Sequence, residues 1–299
     1  MKKYILRILL FFFIVAVADQ LLGAGLMYMR RNAGSGSARE IEYTTRQCNE
    51  DVLVFGSSRA MHHYVPSIIE DSLGMTCFNC GKDGLGLYYN YGRWMLIREH
   101  HIPKVIVYDY CHFDHEVDSV PNNRFLTELR PYCSNPGVKE LFNDVESMEK
   151  YKVASSLYRN NSKLLQLIGG FVKREKMTDG YRPLKGEIYY FYKIKPKPDV
   201  DTLKYRYLEK FIQSVQHDGV KLIFMLSPYY DGVNASCPPE IQELFRKYKV
   251  DFYDNENLEG FTNNKSLFRD MKHLNEKGAE KYTKIVVGEI RKSMDRQSP

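Results

Sequence analysis

Short apolar runs that alternate with helical patterns constrain the fold of this 299-residue chain more than any other feature. Five such runs occupy residues 52–55, 76–79, 105–108, 221–226 and 250–253. Each is short and almost wholly apolar, which is typical of a strand buried on both faces of a sheet. We therefore predict a parallel sheet of five strands.

The segments between the runs carry helical periodicity. Leu208, Phe211, Ile212 and Val215 recur at i, i+3, i+4 and i+7. Similar stripes occur over residues 279–286 and 87–95. Strands that alternate with helices indicate an α/β fold, a three-layer α/β/α sandwich with helices on both faces of the sheet.

The stretch from about residue 115 to 200 interrupts this alternation. It contains a helical pattern over residues 138–168 and an aromatic segment, Tyr189-Tyr190-Phe191-Tyr192. We interpret it as an insertion near the edge of the sheet. Long connections often carry function, so the insertion either shapes a substrate cleft or serves as a structural lid or packing element.

The amino terminus, residues 1–31, predicts export or membrane insertion. From Tyr4 to Met29 the chain is almost wholly apolar, which is long enough for a transmembrane helix. Ala16-Val17-Ala18 also has the form of a signal-peptidase site, so cleavage after Ala18 and secretion are the alternative. We favour the retained anchor because the apolar character resumes at Leu21. The basic residues before the apolar run favour a cytoplasmic amino terminus and an extracytoplasmic body.

The small polar composition of residues 32–40 predicts a flexible linker, which we place at residues 32–49, followed by one domain at 50–299 with the insertion at about 115–200. Six cysteines in an exported chain permit disulfides, but their spacing does not determine a pairing. Neither the cysteines nor the histidines show a recognised metal-binding spacing. We therefore expect no metal and no cofactor.

Charge argues against a nucleic-acid partner. The net charge is +6, but five basic residues and one acid lie in residues 1–31, which leaves 38 basic and 36 acidic residues in the rest of the chain. This remainder contains no basic run. A nucleic-acid binder normally shows a concentrated basic face.

Polar side chains follow the predicted strands at the edge where a parallel sheet forms its sites. These segments are Gly56-Ser57-Ser58-Arg59, residues 79–84, 109–114, 227–230 and 270–275. A serine becomes a good nucleophile when an imidazole held by a carboxylate accepts its proton. Ser58, His273 and Asp270 are the candidates for those three roles. The alternatives are a helix cap for Ser58 and an ordinary loop pair for Asp270 and His273.

The blocks Gly56-Ser57-Ser58-Arg59, Asn79 to Gly84, and Asp270 to Asn275 resemble the first, second and last sequence blocks of the SGNH (GDSL-like) hydrolase superfamily. The match is nearest to the membrane-anchored, exported branch with a G-S-S-R block. The resemblance implies a flavodoxin-like fold, Ser58 as nucleophile, and Asp270 and His273 as the rest of a triad. It also implies that Gly84 and the Ser58 backbone N–H form an oxyanion hole.

The third block departs from that family. Its oxyanion asparagine has no counterpart in Val107 to His112, and loss of such a donor costs about a hundredfold or more in rate. His112 is a candidate substitute donor. Arg59, Asn79 and Asp109 are further candidates for substrate contact or support, with Arg59 most simply bracing Asp109 or Asp114.

These features predict a membrane-tethered, exported serine esterase or O-acyltransferase. By resemblance, the substrate is an acylated, most simply O-acetylated, glycan of the cell envelope. The alternative is a non-catalytic envelope protein of the same fold that binds glycan or a membrane acyltransferase partner. The missing asparagine supports the alternative, whereas Ser58, Asp270 and His273 oppose it.

Overall fold

The computed structural model describes residues 1–117, 124–193, 195, 199–232 and 237–296. Five parallel strands form one sheet in the order β2-β1-β3-β4-β5. They are β1 (Val52–Gly56), β2 (Cys77–Asn79), β3 (Val105–Asp109), β4 (Lys221–Leu226) and β5 (Asp251–Asp254). This is the flavodoxin-like strand order, and the predicted five-stranded parallel α/β fold is confirmed.

The observed strands differ from the predicted runs by only one residue at an end. β1 reaches Gly56 and β3 reaches Asp109 because these two residues pair with each other in the sheet. Asp109 also pairs with Met225 of β4. A charged residue therefore ends the central strand at the carboxyl edge of the sheet.

Helices precede, connect and follow the strands. The early helices are α1 (Lys2–Arg31), α2 (Gly36–Arg46), α3 (Ser58–His63), α4 (Pro66–Leu73) and α5 (Leu87–Ile97). The middle helices are α6 (Arg124–Leu129), α7 (Pro136–Val145), α8 (Glu149–Lys152), α9 (Ser156–Asn160) and α10 (Leu164–Val172). The last are α11 (Thr202–His217), α12 (Pro239–Lys247) and α13 (Glu276–Asp295). The three predicted stripes lie in α5, α11 and α13.

Side chains alternate between the two faces of the sheet. On one face Val54 and Val107 join a core that includes Tyr282 and Val286 of α13. On the other face Phe211 of α11 packs edge-on against the rings of β1 and β3, at 5.9 Å from Phe55 and 5.3 Å from Tyr108 between ring centroids. Apolar strands buried on both faces thus produce the three layers.

The chain divides into two compact units. One comprises Met1–Cys48, Met95–His100 and Asn123–Met177, and the other comprises Asn49–Trp94, His101–Asn122 and Thr178–Pro299. The second unit contains the sheet. The domain boundaries inferred from sequence, at residues 31, 49 and about 115–200, stay predictions.

Two local expectations need correction. Within the proposed linker, residues 36–46 form α2, which buries Ile41 and Thr44 because one side of this short segment packs against protein. The helical pattern over residues 138–168 is not one helix but parts of α7 to α10. Ser155 caps the start of α9, and Lys163 has a left-handed φ of 56° before α10, so the chain turns at both points.

Helix α1 is long and apolar enough to span a membrane or to be a signal sequence. It spans 30 residues and ends with Arg30 and Arg31. Residues 2–18 are all exposed. All six cysteines carry free thiols, and all but Cys133 are buried.

Candidate active site

Ser58 begins α3 directly after the first strand. The turn between them requires Gly56, whose φ is +141° and whose added Cβ would lie 2.8 Å from the Asp109 carbonyl oxygen. Ser57, not Ser58, is the residue before the helix, and its side chain makes no capping hydrogen bond. The Ser58 hydroxyl instead lies 2.8 Å from Nε2 of His273.

His273 lies in a tight loop before α13 and is held by Asp270. Its Nδ1 lies 2.8 Å from Asp270 Oδ2 and 3.1 Å from Oδ1. Oδ1 also accepts the backbone N–H groups of Lys272 and His273, at 2.9 and 3.0 Å. A carboxylate can only accept, so Nδ1 carries the proton and Nε2 is free to accept the Ser58 hydroxyl proton. The structure thus brings Ser58, His273 and Asp270 into one hydrogen-bonded series.

The protonation states of His273 and Asp270 suit a role for His273 as a general base. Burial lowers the pKa of His273 below its ordinary value, although Asp270 opposes that shift. Burial raises the pKa of Asp270, but the hydrogen bond and charge of His273, with two backbone donors, lower it to about 2. At neutral pH, His273 is therefore neutral and Asp270 is ionised.

His63 supports the His273 loop, and sequence reasoning did not assign it a role. Its Nε2 accepts the Leu274 backbone N–H at 3.0 Å, so its proton is on Nδ1, which donates to Ser227 Oγ at 2.9 Å. Complete burial holds the pKa of His63 well below its usual range. A neutral imidazole thus joins the end of β4 to the loop. In the sequence, the one indication of this role is that His63 lies shortly after the Gly56-Ser57-Ser58-Arg59 block.

His62 faces the same loop from the neighbouring position. Its ring stands edge-on to His273 with centroids 5.6 Å apart. Nδ1 lies 2.6 Å from the Arg182 carbonyl oxygen, and Nε2 lies 3.2 Å from Asp83. Both ring nitrogens therefore face acceptors.

Arg59 lies beneath the site in a buried polar network. Its Nε is 3.6 Å from Asp109, its guanidinium hydrogen-bonds Ser227, and its Cζ is 3.7 Å from the Tyr229 ring centroid. Tyr64 donates a hydrogen bond to Asp109 at 2.7 Å. Burial raises the pKa of Asp109, while Arg59 and the hydrogen-bond donors oppose the shift. These contacts make Arg59 and Asp109 structural supports.

Asn79 has a similar supporting position at the end of β2. Its side-chain amide donates to the carbonyl oxygens of Ala60 and Tyr64, at 2.7 and 2.9 Å, and accepts the Gly81 N–H at 2.9 Å. Ala60 lies in α3 and Tyr64 directly follows it. Asn79 therefore ties the second strand to the helix that carries Ser58.

The remaining oxyanion candidates lie after β2 and β3. Gly84 has a left-handed φ of +65° in its turn. His112 Nδ1 lies 3.2 Å from the Tyr229 hydroxyl, and burial lowers the pKa of His112 to about 3. His112 is therefore neutral at physiological pH. Participation of either residue in an oxyanion hole stays a prediction.

A cleft of about 380 Å³ opens beside His273. Its lining consists of His62, Leu184, Tyr189, Tyr190, Arg269, Asp270 and His273. The Arg269 guanidinium lies 4.9 Å from the centroid of the Tyr189 ring. The cleft thus combines aromatic surface from Tyr189 and Tyr190 with the cationic Arg269 beside His273. In the described part of the chain, no group of three or more His, Cys, Asp and Glu residues is arranged to hold a metal ion.

Comparison with known proteins shows distant structural likenesses. No family model and no curated protein matches the chain. A Bacteroides fragilis protein provisionally described as an acylhydrolase is 11% identical over 84% of this chain and 95% of its own, with a TM-score of 0.39. A Streptococcus pneumoniae protein provisionally described as a platelet activating factor is 14% identical over 91% and 99%, also with a TM-score of 0.39. Both likenesses are too low to indicate a shared activity or shared site residues.

Proposed function

We propose that this chain is a serine esterase or O-acyltransferase in which Ser58 is the nucleophile, His273 the general base and Asp270 its carboxylate partner. The observation that carries the proposal is the pair of 2.8 Å contacts, Ser58 Oγ to His273 Nε2 and His273 Nδ1 to Asp270 Oδ2. Residues 58 and 273 are far apart in sequence. Their meeting at the carboxyl edge of the sheet supports a catalytic role over a helix cap or an isolated loop pair.

The reaction follows from these contacts. Ser58 Oγ bonds to the carbonyl carbon of an ester as its proton passes to His273 Nε2. Asp270 stabilises the resulting imidazolium. The tetrahedral intermediate collapses, the C–O bond to the alcohol breaks, and His273 gives its proton to that alcohol. Water or an acceptor hydroxyl then attacks the acyl-enzyme, with His273 again removing the proton, and Ser58 is regenerated.

An oxyanion hole is the second requirement of this chemistry. The Ser58 and Gly84 backbone N–H groups are the proposed donors, and His112 is the proposed third. His112 is suited to donation without a charge, because a Tyr229 hydroxyl that donates to Nδ1 leaves the proton on Nε2. Such a donor would take the place of the missing asparagine.

The cleft supports a sugar ester as substrate. Tyr189 and Tyr190 are 78% and 67% exposed, and both line the cleft next to His273. Exposed aromatic faces suit the apolar faces of sugar rings. Together with the membrane-length α1, they favour an acylated cell-envelope glycan, reached from a tether with its amino terminus in the cytoplasm and its body outside. If α1 is cleaved after Ala18, the body is secreted instead.

The test is covalent labelling of the full-length protein in detergent with a fluorophosphonate. Ser58 would displace fluoride from phosphorus, and mass spectrometry of peptides would find one adduct, on Ser58. Ser58→Ala and His273→Gln are expected to abolish the adduct. Ser57→Ala is the matched control, because the Ser57 hydroxyl lies 3.7 Å from Cys111 Sγ, whereas the Ser58 hydroxyl lies 2.8 Å from His273 Nε2. An unlabelled Ser58 in a folded protein would overturn the proposal.

A second candidate function is binding without catalysis. The observation that favours it is the absence of an asparagine from Val107 to His112, where the resemblance leads one to expect an oxyanion donor. The protein would then use the cleft for glycan or contact a membrane acyltransferase. Unchanged biological function and glycan binding in Ser58→Ala would support this candidate.

A further inference from the structure

Helix α10 exposes a stripe of apolar side chains. Leu164, Leu165, Ile168 and Val172 are 41%, 84%, 40% and 75% exposed. Their spacing places them on one side of the helix, while Leu167 and Gly170 are buried. Gln166 is the one polar side chain in this helix. A helix that is apolar on its outer face as well as its inner face normally has a partner on both.

Helix α10 lies beside the carboxyl end of the membrane-length helix α1. The backbone N–H groups of Gly34 and Ser35, which follow α1, both donate to the Gly170 carbonyl oxygen, at 2.8 and 3.1 Å. The rings of Tyr28 in α1 and Phe171 in α10 have centroids 6.1 Å apart. Helix α10 is therefore held directly against the end of α1.

A second contact holds α1 to the same part of the chain. The Asp19 carboxylate accepts the Ser156 and Leu157 backbone N–H groups, at 2.7 and 3.2 Å, and the Ser155 hydroxyl. At Gly23 an added Cβ would lie 2.4 Å from the Ser156 carbonyl carbon, so only glycine permits this approach. The acid within the apolar segment is thus satisfied by α9. From Asp19 onward, one side of α1 packs against α9 and α10 while Leu21 and Leu22 stay exposed, and residues 2–18 are all exposed.

Basic residues flank α10. Lys163 precedes it, and Lys173, Arg174 and Lys176 follow it. Glu128 and Glu175 pair with two of these lysines, so the flanks are basic without being uniformly so. Cationic residues at the ends of an apolar helix suit the headgroup region of a bilayer that contains anionic lipids.

We propose that the outer face of α10, made of Leu164, Leu165, Ile168 and Val172, is embedded in the lipid bilayer beside α1. Direct contact with the membrane-length helix α1, the apolar stripe and the basic flanks favour lipid as the occupant over a second protein. The proposal rests on the membrane tethering included in the proposed function. It adds a second membrane contact, which remains with the body when residues 1–18 are removed.

Depth-dependent quenching tests this contact. The full-length protein is reconstituted into vesicles of phosphatidylcholine and phosphatidylglycerol, with or without brominated acyl chains. One environment-sensitive fluorescent amino acid is introduced at Leu165. Phe12 in α1 is the positive control, and Tyr189, which is 78% exposed, is the negative control. We expect brominated lipid to quench the probes at 165 and 12 and to leave the probe at 189 unchanged.

The outcomes distinguish failure of the α10 contact from failure of the α1 tether. Quenching at 12 without quenching at 165 overturns the α10 proposal and leaves the tether in place. Absence of quenching at both positions overturns the tether and the α10 contact together. A blue-shifted but unquenched probe at 165 indicates cover by protein and also overturns the proposal. Fluorophosphonate labelling of Ser58 is independent of all three results.

A charge variant provides the second measurement. Leu165→Glu with Val172→Glu places carboxylates on the outer face of α10, where charge is costly in lipid and tolerated in water. With the probe at Ile168, we expect the double variant to lose most of the quenching, while a probe at Phe12 keeps it. The unfolding temperature of the detergent-solubilised protein should stay the same, because both side chains point outward. Persistent quenching at 168 would count against the proposal.

Discussion

At the scale of single residues, the site depends on which nitrogen of each imidazole carries its proton. Asp270 places the proton of His273 on Nδ1, and the Leu274 N–H places that of His63 on Nδ1 as well. His273 is left with an acceptor facing Ser58. His63 is left with Nε2 as an acceptor, which faces the loop that contains His273 and Leu274. Two histidines from different parts of the chain thus have complementary roles, one as the proposed base and one as its support.

The lowered pKa of His273 predicts the pH dependence of Ser58 labelling. The neutral imidazole is the form that accepts a proton, and it predominates above the pKa of His273. Because burial lowers this pKa below 6.5, labelling should rise with pH through an inflection below 6.5 and reach its plateau by neutral pH. Asp270, with a pKa of about 2, stays ionised over that range. Fluorophosphonate rates measured against pH provide the check, and an inflection above 6.5 would contradict the assignment.

Asp270→Asn is expected to lower esterase activity by about 10⁴-fold, as loss of the carboxylate of a serine triad does. The reason is that an amide can stabilise the wrong tautomer of His273 and cannot offset the charge of its imidazolium form. Steady-state kinetics on a small acetyl ester measure the effect. Asp83→Asn is the matched control, because Asp83 contacts His62 at 3.2 Å rather than His273. An equal loss in both variants would mean that Asp270 has no special role.

Changes at His63 should reveal a positioning role. His63→Leu leaves the Leu274 N–H without its acceptor, so we expect a loss of about 1–3 kcal/mol in stability and a lower kcat with little change in KM. His63→Gln offers an amide oxygen near the position of Nε2 and should recover part of kcat. Denaturant unfolding and kinetics of both variants measure this. If stability falls but kcat does not, His63 supports the fold alone.

At the scale of elements, two helix starts determine where the site residues lie. α3 begins at Ser58 after the turn at Gly56, and α13 begins after Asn275, whose side chain caps the helix by accepting the Gly278 N–H at 3.0 Å. His273 is two residues before that cap. The position of the base therefore depends on how closely the start of α13 packs.

Gly278→Ala tests this dependence. An added Cβ would lie 2.1 Å from the Leu267 carbonyl oxygen, so the start of α13 must shift. We expect a loss of about 1–3 kcal/mol in unfolding free energy, together with reduced Ser58 labelling. Gly288→Ala, in the same helix with nothing within 4 Å of the added Cβ, should be stabilising by about 0.5–1 kcal/mol and leave labelling unchanged. Thermal and urea unfolding of both variants provide the comparison.

At the scale of the whole molecule, the compartment of the proposed chemistry depends on whether α1 is a retained membrane anchor or a cleaved signal sequence. Protease treatment of intact spheroplasts or cells should remove the body while a tag before Lys2 stays protected. This expectation follows from the basic residues that precede the apolar run. Intact-mass analysis of the membrane fraction should find a chain that starts at Met1. A soluble form that begins at Asp19 would show instead that the signal is cleaved.

The sequence alone predicted the α/β class and each strand to within one residue at its ends. Buried parallel strands must be apolar throughout, and this pattern is local. It also indicated α5, α11 and α13, whose apolar stripes are equally local. It did not indicate helix α2 over residues 36–46 or the division of residues 138–168 among four helices, because burial of Ile41 and the turn at Lys163 are not visible in local composition.

The residue types of the candidate site were also visible in the sequence, since serine, aspartate and histidine follow predicted strands. Only the tertiary structure brought Ser58 within 2.8 Å of a histidine 215 residues away and joined His63 to the Leu274 N–H. It likewise decided that Arg59 and Asp109 are buried together rather than exposed to substrate. The physical reason is sequence separation. Strand and helix patterns arise from residues that are neighbours in the sequence, whereas hydrogen bonds across the sheet edge join distant residues and depend on strand order and register.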